Sequence, residues 1–227
     1  MPEYNAIGIL GGMGPQATAH LYLRIIEIFQ KEFGAVYDSD FPKIIILSLP
    51  IPDVVENPNE NIKVKEMLVD GVKKLENAGA NFIAIPCNTV TCYISEMQKA
   101  VQIPIINIIR ETADEVFKSG AKIVGLLATE MTIKSSIYSC ALQGIKILTL
   151  NKKEQKETTG IILNILAVRQ SNDDKQKLQG FIRKLKSQGA QRIILGCTEL
   201  PLVIQENSDV FDTLEILAKS TAKRARE

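Results

Sequence analysis

The sequence predicts an α/β protein made of two similar domains, each built on a parallel sheet, and three observations lead there. Short apolar runs alternate with longer amphipathic segments along all 227 residues, the order in which strands and crossover helices build a parallel sheet. The apolar runs are continuous and rich in β-branched residues, which fits strands covered on both faces. Two stretches, 79–89 and 189–199, match without a gap: each reads Gly-Ala, one polar residue, a strand, then a cysteine and polar residues. The match reads as an internal duplication that aligns Cys87 with Cys197.

Taken in order, 6–10 is a buried strand, and the turn Gly11-Gly12-Met13-Gly14-Pro15 opens a helix over 16–33. A strand over 44–49 follows, then a helix over 61–78 that Gly79 stops. Strand 82–85 runs straight into Pro86-Cys87-Asn88-Thr89. The pattern then restarts, with strand 104–106, a helix over 111–119 ending at Gly120, and strand 122–127 running into Ala128-Thr129-Glu130. A helix over 133–142, a strand over 145–150 and a helical stretch over 153–188, interrupted around 170–173, come next. Strand 192–195 runs into Gly196-Cys197-Thr198-Glu199, and the tail from Phe211 reads as helix.

Composition narrows the function. Charge is balanced, with 27 basic and 26 acidic residues, where a nucleic-acid partner would leave a basic patch or stripe. Lys219, Lys223, Arg224 and Arg226 cluster in the tail and read as the solvated face of its helix. No apolar run approaches the ~18–20 residues that span a bilayer, and the first five residues lack the basic region of a signal peptide. No membrane partner is therefore expected. The four cysteines, Cys87, Cys92, Cys140 and Cys197, form no CxxC pair and no zinc-type spacing. They are expected as reduced thiols in the cytoplasm.

The chemistry follows from where the aligned cysteines fall. In an open parallel sheet, ligands bind beyond the carboxyl ends of the strands, where helix N-termini offer unpaired N–H groups. Both Cys87 and Cys197 are read into that position, where a helix start favours the thiolate. Two such thiols on two pseudo-symmetric domains, facing one another across a cleft, suit a reaction that needs a base and an acid on opposite faces of a planar intermediate. Racemisation at Cα is that reaction. Asn88, Thr89 and Thr198 are suitable donors to the substrate α-carboxylate.

Each residue has a plainer reading beside it. A cysteine at a strand end is more often a small buried hydrophobe than a catalyst, and it is the matched context of Cys87 and Cys197 that reverses this. Cys92 and Cys140 lack such a context and read as structural, as parts of the core. His20, the only histidine, reads as a surface or helix-packing residue, which weakens any hydrolase needing a Cys-His or Ser-His pair. The glycine turn is not GxGxxG, no acidic residue ends strand 44–49, and there is no GK[ST]. Nucleotide binding is disfavoured, and the turn is expected to let backbone approach a small anionic ligand.

These residues resemble the aspartate/glutamate racemase superfamily, and specifically its aspartate racemase branch. The resemblance covers nearly the whole chain. It rests on Ile7-Gly8-Ile9-Leu10-Gly11-Gly12-Met13-Gly14-Pro15, on Pro86-Cys87-Asn88-Thr89, on Gly125-Leu126-Leu127-Ala128-Thr129 and on Gly196-Cys197-Thr198-Glu199. It implies two similar α/β/α domains with parallel central sheets and the active site in the cleft between them. It further implies no pyridoxal phosphate, no metal, and commonly a homodimer. The C-terminal helix is implied to return to the first domain, giving domains of 1–103 with 210–227, and 104–209. By resemblance Cys87 and Cys197 are the catalytic pair, and Asn88, Thr89 and Thr129 bind the substrate carboxylate. Thr198 lies beside the second cysteine, and Met13 sits in the first ligand-facing loop.

The chain departs from the glutamate racemase branch, where Asp-Ser-Gly in the first loop and a histidine after the second Cys-Thr are the pattern. Here Gly12-Met13-Gly14 and Glu199 stand in those places. It also departs from the archaeal-type aspartate racemases, in which an arginine follows the Ile-Pro-Asp of the second loop. Here Val54 follows Ile51-Pro52-Asp53. A basic partner for a substrate side-chain carboxylate then falls, by the family's layout, to Arg169 or Lys175. Aspartate is the expected substrate. Glutamate, a hydantoin or maleate are alternatives within the superfamily, and a non-catalytic amino-acid-binding protein on the same fold is the alternative from another class.

Overall fold

The computed structural model describes residues 3–52, 61–204 and 209–227. The chain divides into two compact units, Met1–Glu111 with Leu214–Glu227, and Thr112–Thr213. In the first unit, β1 (Ile7–Gly11), α1 (Pro15–Phe33), β2 (Ile44–Ser48), α2 (Asn61–Asn77), β3 (Phe82–Ala84), α3 (Ile94–Lys99) and β4 (Ile105–Ile106) follow one another. The division falls inside α4 (Ile108–Lys118). The second unit holds β5 (Ile123–Ala128), α5 (Glu130–Lys134), α6 (Ile137–Ala141), β6 (Lys146–Leu148), α7 (Lys152–Leu166), α8 (Asn172–Ser187), β7 (Arg192–Gly196) and β8 (Val210–Asp212). Helix α9 (Thr213–Ala225) closes the chain.

The two sheets share one topology. The first has the order β2-β1-β3-β4 and the second β6-β5-β7-β8, with every described pairing parallel. The repeated order is the duplication seen in the sequence, now as architecture. In each sheet the strand order reverses between its two central strands, β1 and β3 or β5 and β7. A ligand crevice is expected at that switch point, outside the carboxyl ends of the strands.

The matched stretches repeat down to single hydrogen bonds. Gly79 and Gly189 end α2 and α8 with φ of 87° and 103°, a left-handed turn that glycine adopts without a Cβ penalty. Ala80 N–H then bonds the Leu75 carbonyl at 3.1 Å, and Ala190 N–H the Leu185 carbonyl at 3.0 Å. The polar residue that follows ties the next strand to its neighbour. Asn81 Oδ1 accepts from Ala6 N–H at 2.6 Å, just before β1, and Gln191 Oε1 accepts from Lys122 N–H at 2.6 Å, just before β5.

Burial follows the strand pattern. All five residues of β1 and all three of β3 are buried, while edge strand β2 is half-buried, with Ile46 exposed. In the first unit Val64, Leu68, Val72 and Leu75 of α2 pack on Leu10, Ile83, Ile85 and Cys87. In the second, Ile161, Ile162 and Ile165 of α7 and Leu178 and Leu185 of α8 pack on Leu127, Ile193, Leu195 and Cys197. Each such aliphatic side chain contributes roughly 1.5–3 kcal/mol by leaving water. Both cysteines thus close the same corner of their respective cores.

The structure corrects the drawn boundaries. Strand 104–106, expected in the second domain, belongs to the first sheet, where Ile83 pairs with Ile105 and Ala84 with Ile106. Residues 210–212 were read into the first domain, but they form β8, pairing with β7 in the second sheet. Two-residue and three-residue strands take their sheet from long-range pairing, which a local pattern does not carry. The helix over 133–142 is two helices, α5 and α6, separated where Ser136 takes a φ of 56°.

Helix α9 belongs to the first unit from Leu214 onward. Arg24 of α1 grips Glu215 with two bonds, Nε to Oε2 at 2.5 Å and a terminal nitrogen to Oε1 at 2.8 Å. Ser220 Oγ donates to Glu111 at 2.5 Å, Asn5 N–H bonds the Ala225 carbonyl at 2.8 Å, and Arg226 lies 4.2 Å from the Phe33 ring centre.

Candidate active site

In each unit the cysteine loop leaves the sheet beside the switch point. β3 ends at Ala84 and leads through Ile85-Pro86 to Cys87, and β7 ends at Gly196, directly before Cys197. Gly196 is there for a packing reason: a Cβ would lie 2.8 Å from Leu126 Cδ1 and 3.2 Å from the Tyr138 ring. All four cysteines are thiols, and Cys87 and Cys197 are buried to the same degree, 6% exposed. Asn88, Thr89, Thr198 and Thr129 are buried beside them in their own units. Buried polar groups of this kind are held by hydrogen bonds.

The sequence places each cysteine at a helix start. The structure puts a 3-10 turn there instead, Thr89–Tyr93 after Cys87 and Leu200–Leu202 after Cys197. So short a turn carries little of a helix macrodipole, and side-chain partners distinguish these thiols. After Cys87 the turn is pinned by Thr91, whose Oγ1 donates to the Cys87 carbonyl at 3.1 Å. After Cys197 the side chains themselves meet. Cys197 Sγ donates to Glu199 Oε2 at 2.9 Å, and Thr198 Oγ1 reaches the same oxygen at 3.3 Å.

Glu199 is only 3% exposed, and it was not among the residues read as functional. The aligned stretches held the signal: where the first has Thr89, the second has a carboxylate two residues past its cysteine. Tyr138 of α6 packs under the same strand end, against Gly196. Burial holds its phenol well above the usual range, a hydrogen bond with Thr112 opposes this, and charge on Cys197 adds to it.

The remaining residues sort by position. Thr129 is the N-cap of α5: its Oγ1 accepts from Thr132 N–H at 3.2 Å and lies 3.0 Å from Thr132 Oγ1. Met13 is half-buried and packs against the same core as Cys87. The glycine turn before it admits protein. A Cβ on Gly11 would lie 2.2 Å from Thr18 Cγ2, and one on Gly12 2.3 Å from the Leu49 carbonyl oxygen. The close approach expected for an anionic ligand is thus made to Thr18 and Leu49, with Gly12 N–H donating to Thr18 Oγ1 at 2.9 Å.

Arg169, in the gap between α7 and α8, and Lys175, in the first turn of α8, are both exposed. Lys175 lines a depression of about 280 Å³ with Ser171, Pro201 and Leu202, and neither Arg169 nor any of Cys197, Thr198 and Glu199 lines it. Asp53 and Val54 lie outside the described residues. Cys92 and Cys140, read as core residues, are exposed; burial of the Cys92 sulfur nevertheless pushes its thiol up to about 11, with the Glu96 charge adding to it against a backbone hydrogen bond. Their places explain the difference: Cys92 is in the turn after Asn88 and Cys140 on the outer face of a five-residue helix.

The molecule is a duplicated parallel α/β protein in which each unit carries a buried thiol just beyond a central strand, with buried polar residues next to it. The Asp/Glu/Hydantoin racemase family model matches residues 10–221, and the chain belongs to that family. It is 37% identical over 220 residues to the broad specificity amino-acid racemase RacX of Bacillus subtilis (strain 168), covering 95% of this chain and 96% of that protein. An aspartate racemase homologue from Pyrococcus horikoshii OT3 superposes with a TM-score of 0.81 at 32% identity, over 98% of this chain and all (100%) of that one. The aspartate racemase of Picrophilus torridus superposes at 0.83 with 28% identity, over 97% and 94%.

Proposed function

We propose that this chain is a cofactor-independent amino-acid racemase that uses Cys87 and Cys197 as its two bases, with aspartate as its best substrate. The observation that carries the reading is the repetition of a buried strand-end thiol in both units. In one direction a thiolate takes the Cα proton, so that the C–H bond breaks and an S–H bond forms. The other thiol then gives its proton to the opposite face of the planar carbanion and is left as thiolate. The reverse direction exchanges the two roles. Asn88, Thr89, Thr129 and Thr198 are assigned to hold the α-carboxylate, since hydrogen bonds from a preorganised site favour the developing charge.

The similarity to a broad specificity racemase, with Val54 in place of an arginine, supports a second reading in which neutral amino acids are also turned over. A panel of L-amino acids, incubated without added cofactor and resolved by chiral chromatography, separates the two. Aspartate fastest, with glutamate slow, is the expected result. Alanine, serine or homoserine faster than aspartate would overturn the acidic preference and leave the two-thiol chemistry standing. Racemisation is expected to survive dialysis against a chelator and hydroxylamine and to fail with iodoacetamide. If a basic group meets the side-chain carboxylate, Arg169→Gln or Lys175→Gln raises KM for aspartate strongly in at least one case.

A further inference from the structure

From the Cys197–Glu199 contact we infer that Glu199 is the proton partner of Cys197, a positioning residue that exchanges a proton with the thiol and so holds one of the two bases in a ready state. The inference rests on the racemase reading above and adds an asymmetry to it. Glu199 Oε2 accepts from Cys197 Sγ at 2.9 Å, and both residues are more than nine-tenths buried. Residue 89, at the aligned place beside Cys87, is a threonine, which cannot take a proton from a thiol.

The step balances without another reactant. The S–H bond of Cys197 breaks, an O–H bond forms on Glu199, and the negative charge moves from carboxylate to sulfur. The pair keeps one proton and one charge in both arrangements. Full ionisation would set two negative charges about 3 Å apart in a buried place, which like-charge repulsion and lost hydration both oppose. When Cys197 acts as base, its thiolate takes the Cα proton while Glu199 stays protonated. When Cys197 acts as acid, the pair carries the second proton gained in the base direction, with S–H on Cys197 and O–H on Glu199, and the thiolate left by the transfer accepts a hydrogen bond from the Glu199 hydroxyl. The Thr198 hydroxyl, 3.3 Å from Oε2, supports the carboxylate form. From a packed element of the same unit, Tyr138 of α6 also feels the charge of Cys197, and burial keeps its phenol neutral at ordinary pH.

A pair that shares one proton has a thiolate fraction independent of pH across the neutral range. An ordinary thiol instead gains thiolate tenfold per pH unit below its pKa of about 8.5. The test is alkylation of the whole protein by iodoacetamide between about pH 6 and 8, with the modified peptides of Cys87 and Cys197 quantified by mass spectrometry. The expected result is a flat rate at Cys197 and a rising rate at Cys87. In Glu199→Gln the Cys197 rate is expected to rise with pH as Cys87 does, while the Cys87 profile stays where it was. Glu199→Asp, which keeps the exchangeable proton, is expected to keep the flat profile with a lower rate. In racemisation, Glu199→Gln is expected to lower kcat/KM about 100-fold at neutral pH in both directions alike, because the enantiomers are equal in energy, and to recover toward alkaline pH.

A rising Cys197 profile in the unaltered protein, or a Glu199→Gln loss of activity uniform across pH, would overturn the inference and leave Glu199 as a structural group. The alkylation profile needs no turnover, so it stands or falls separately from the racemase reading, which the chiral assay alone decides.

Discussion

The loops at 87–89 and 197–199 leave equivalent strands, bury their thiols equally and pack into equivalent cores, yet they differ in what each thiol touches. Cys87 leads into a turn pinned by a threonine hydroxyl on its carbonyl, whereas Cys197 donates its own proton to a carboxylate. The backbone frame was duplicated and kept, down to the left-handed glycine and the strand-tying amide before each loop. The side chains around the reactive atoms diverged. A repeated frame can thus keep its geometry while the side chains that meet each thiol differ.

Seven variants, in four sets, break or sharpen this comparison. The largest effect is expected from the thiols: Cys87→Ser and Cys197→Ser should each lower racemisation by at least about 10³-fold, since each face of Cα loses its acid or base. One of them is still expected to exchange the Cα proton of a single enantiomer with solvent deuterium, read by proton NMR. Near-normal racemisation by either variant would sink the two-base mechanism.

Next comes the element that sets the first unit apart, its closure by the far end of the chain. Arg24→Met leaves Glu215 buried without its main partner, and a loss of about 2 kcal/mol in urea unfolding is expected, below the usual figure for a fully buried pair because Arg24 is partly exposed. Burial pulls the Glu215 carboxyl up, but hydrogen bonds from Arg24 and then Lys219 outweigh it and hold it below its usual range. The pair's contribution is therefore full above the unfolded-state pKa, about 4.3, and is lost as pH falls through the lower folded value. The gap between Arg24→Met and the unaltered protein is expected to narrow in acid. A gap that widened there would refute the linkage.

The duplicated amide ties should differ modestly. Asn81→Ala removes a half-buried bond to the start of β1 and is expected to cost about 1 kcal/mol, while Gln191→Ala removes two exposed bonds, from Lys122 N–H and Ile123 N–H, and should cost about half as much. Equal costs in denaturant titration would mean that exposure does not distinguish the two units. The smallest effects fall to Cys92→Ala and Cys140→Ala, residues exposed overall, whose replacement should leave racemisation intact and stability within about 0.5 kcal/mol. A core-type loss of several kcal/mol at either would show that it packs as part of a core after all.

Much of this was legible in the residues. The strand and helix alternation, the helix-ending glycines and the alignment of Cys87 with Cys197 are local patterns, and local patterns survive in one dimension. The terminal boundaries were not legible, because β4 and β8 are too short to declare a sheet and join theirs through Ile83 and Ile193. Nor was the job of the glycine turn, which is set by Thr18 and Leu49 closing on it from elsewhere in the fold.

The sequence by itself determined the class of fold, its duplication and the two thiols, since each follows from periodicity, turn chemistry or a register match. Only the tertiary structure decided that Glu199 lies against Cys197, that Tyr138 packs under the same strand end, and that Lys175 lines a depression apart from both. Those are contacts between side chains, set by how a short turn folds back and by which helices cover a sheet. Distances of about 3 Å decide whether a proton can pass between two groups, and residue order does not encode them until the chain has packed.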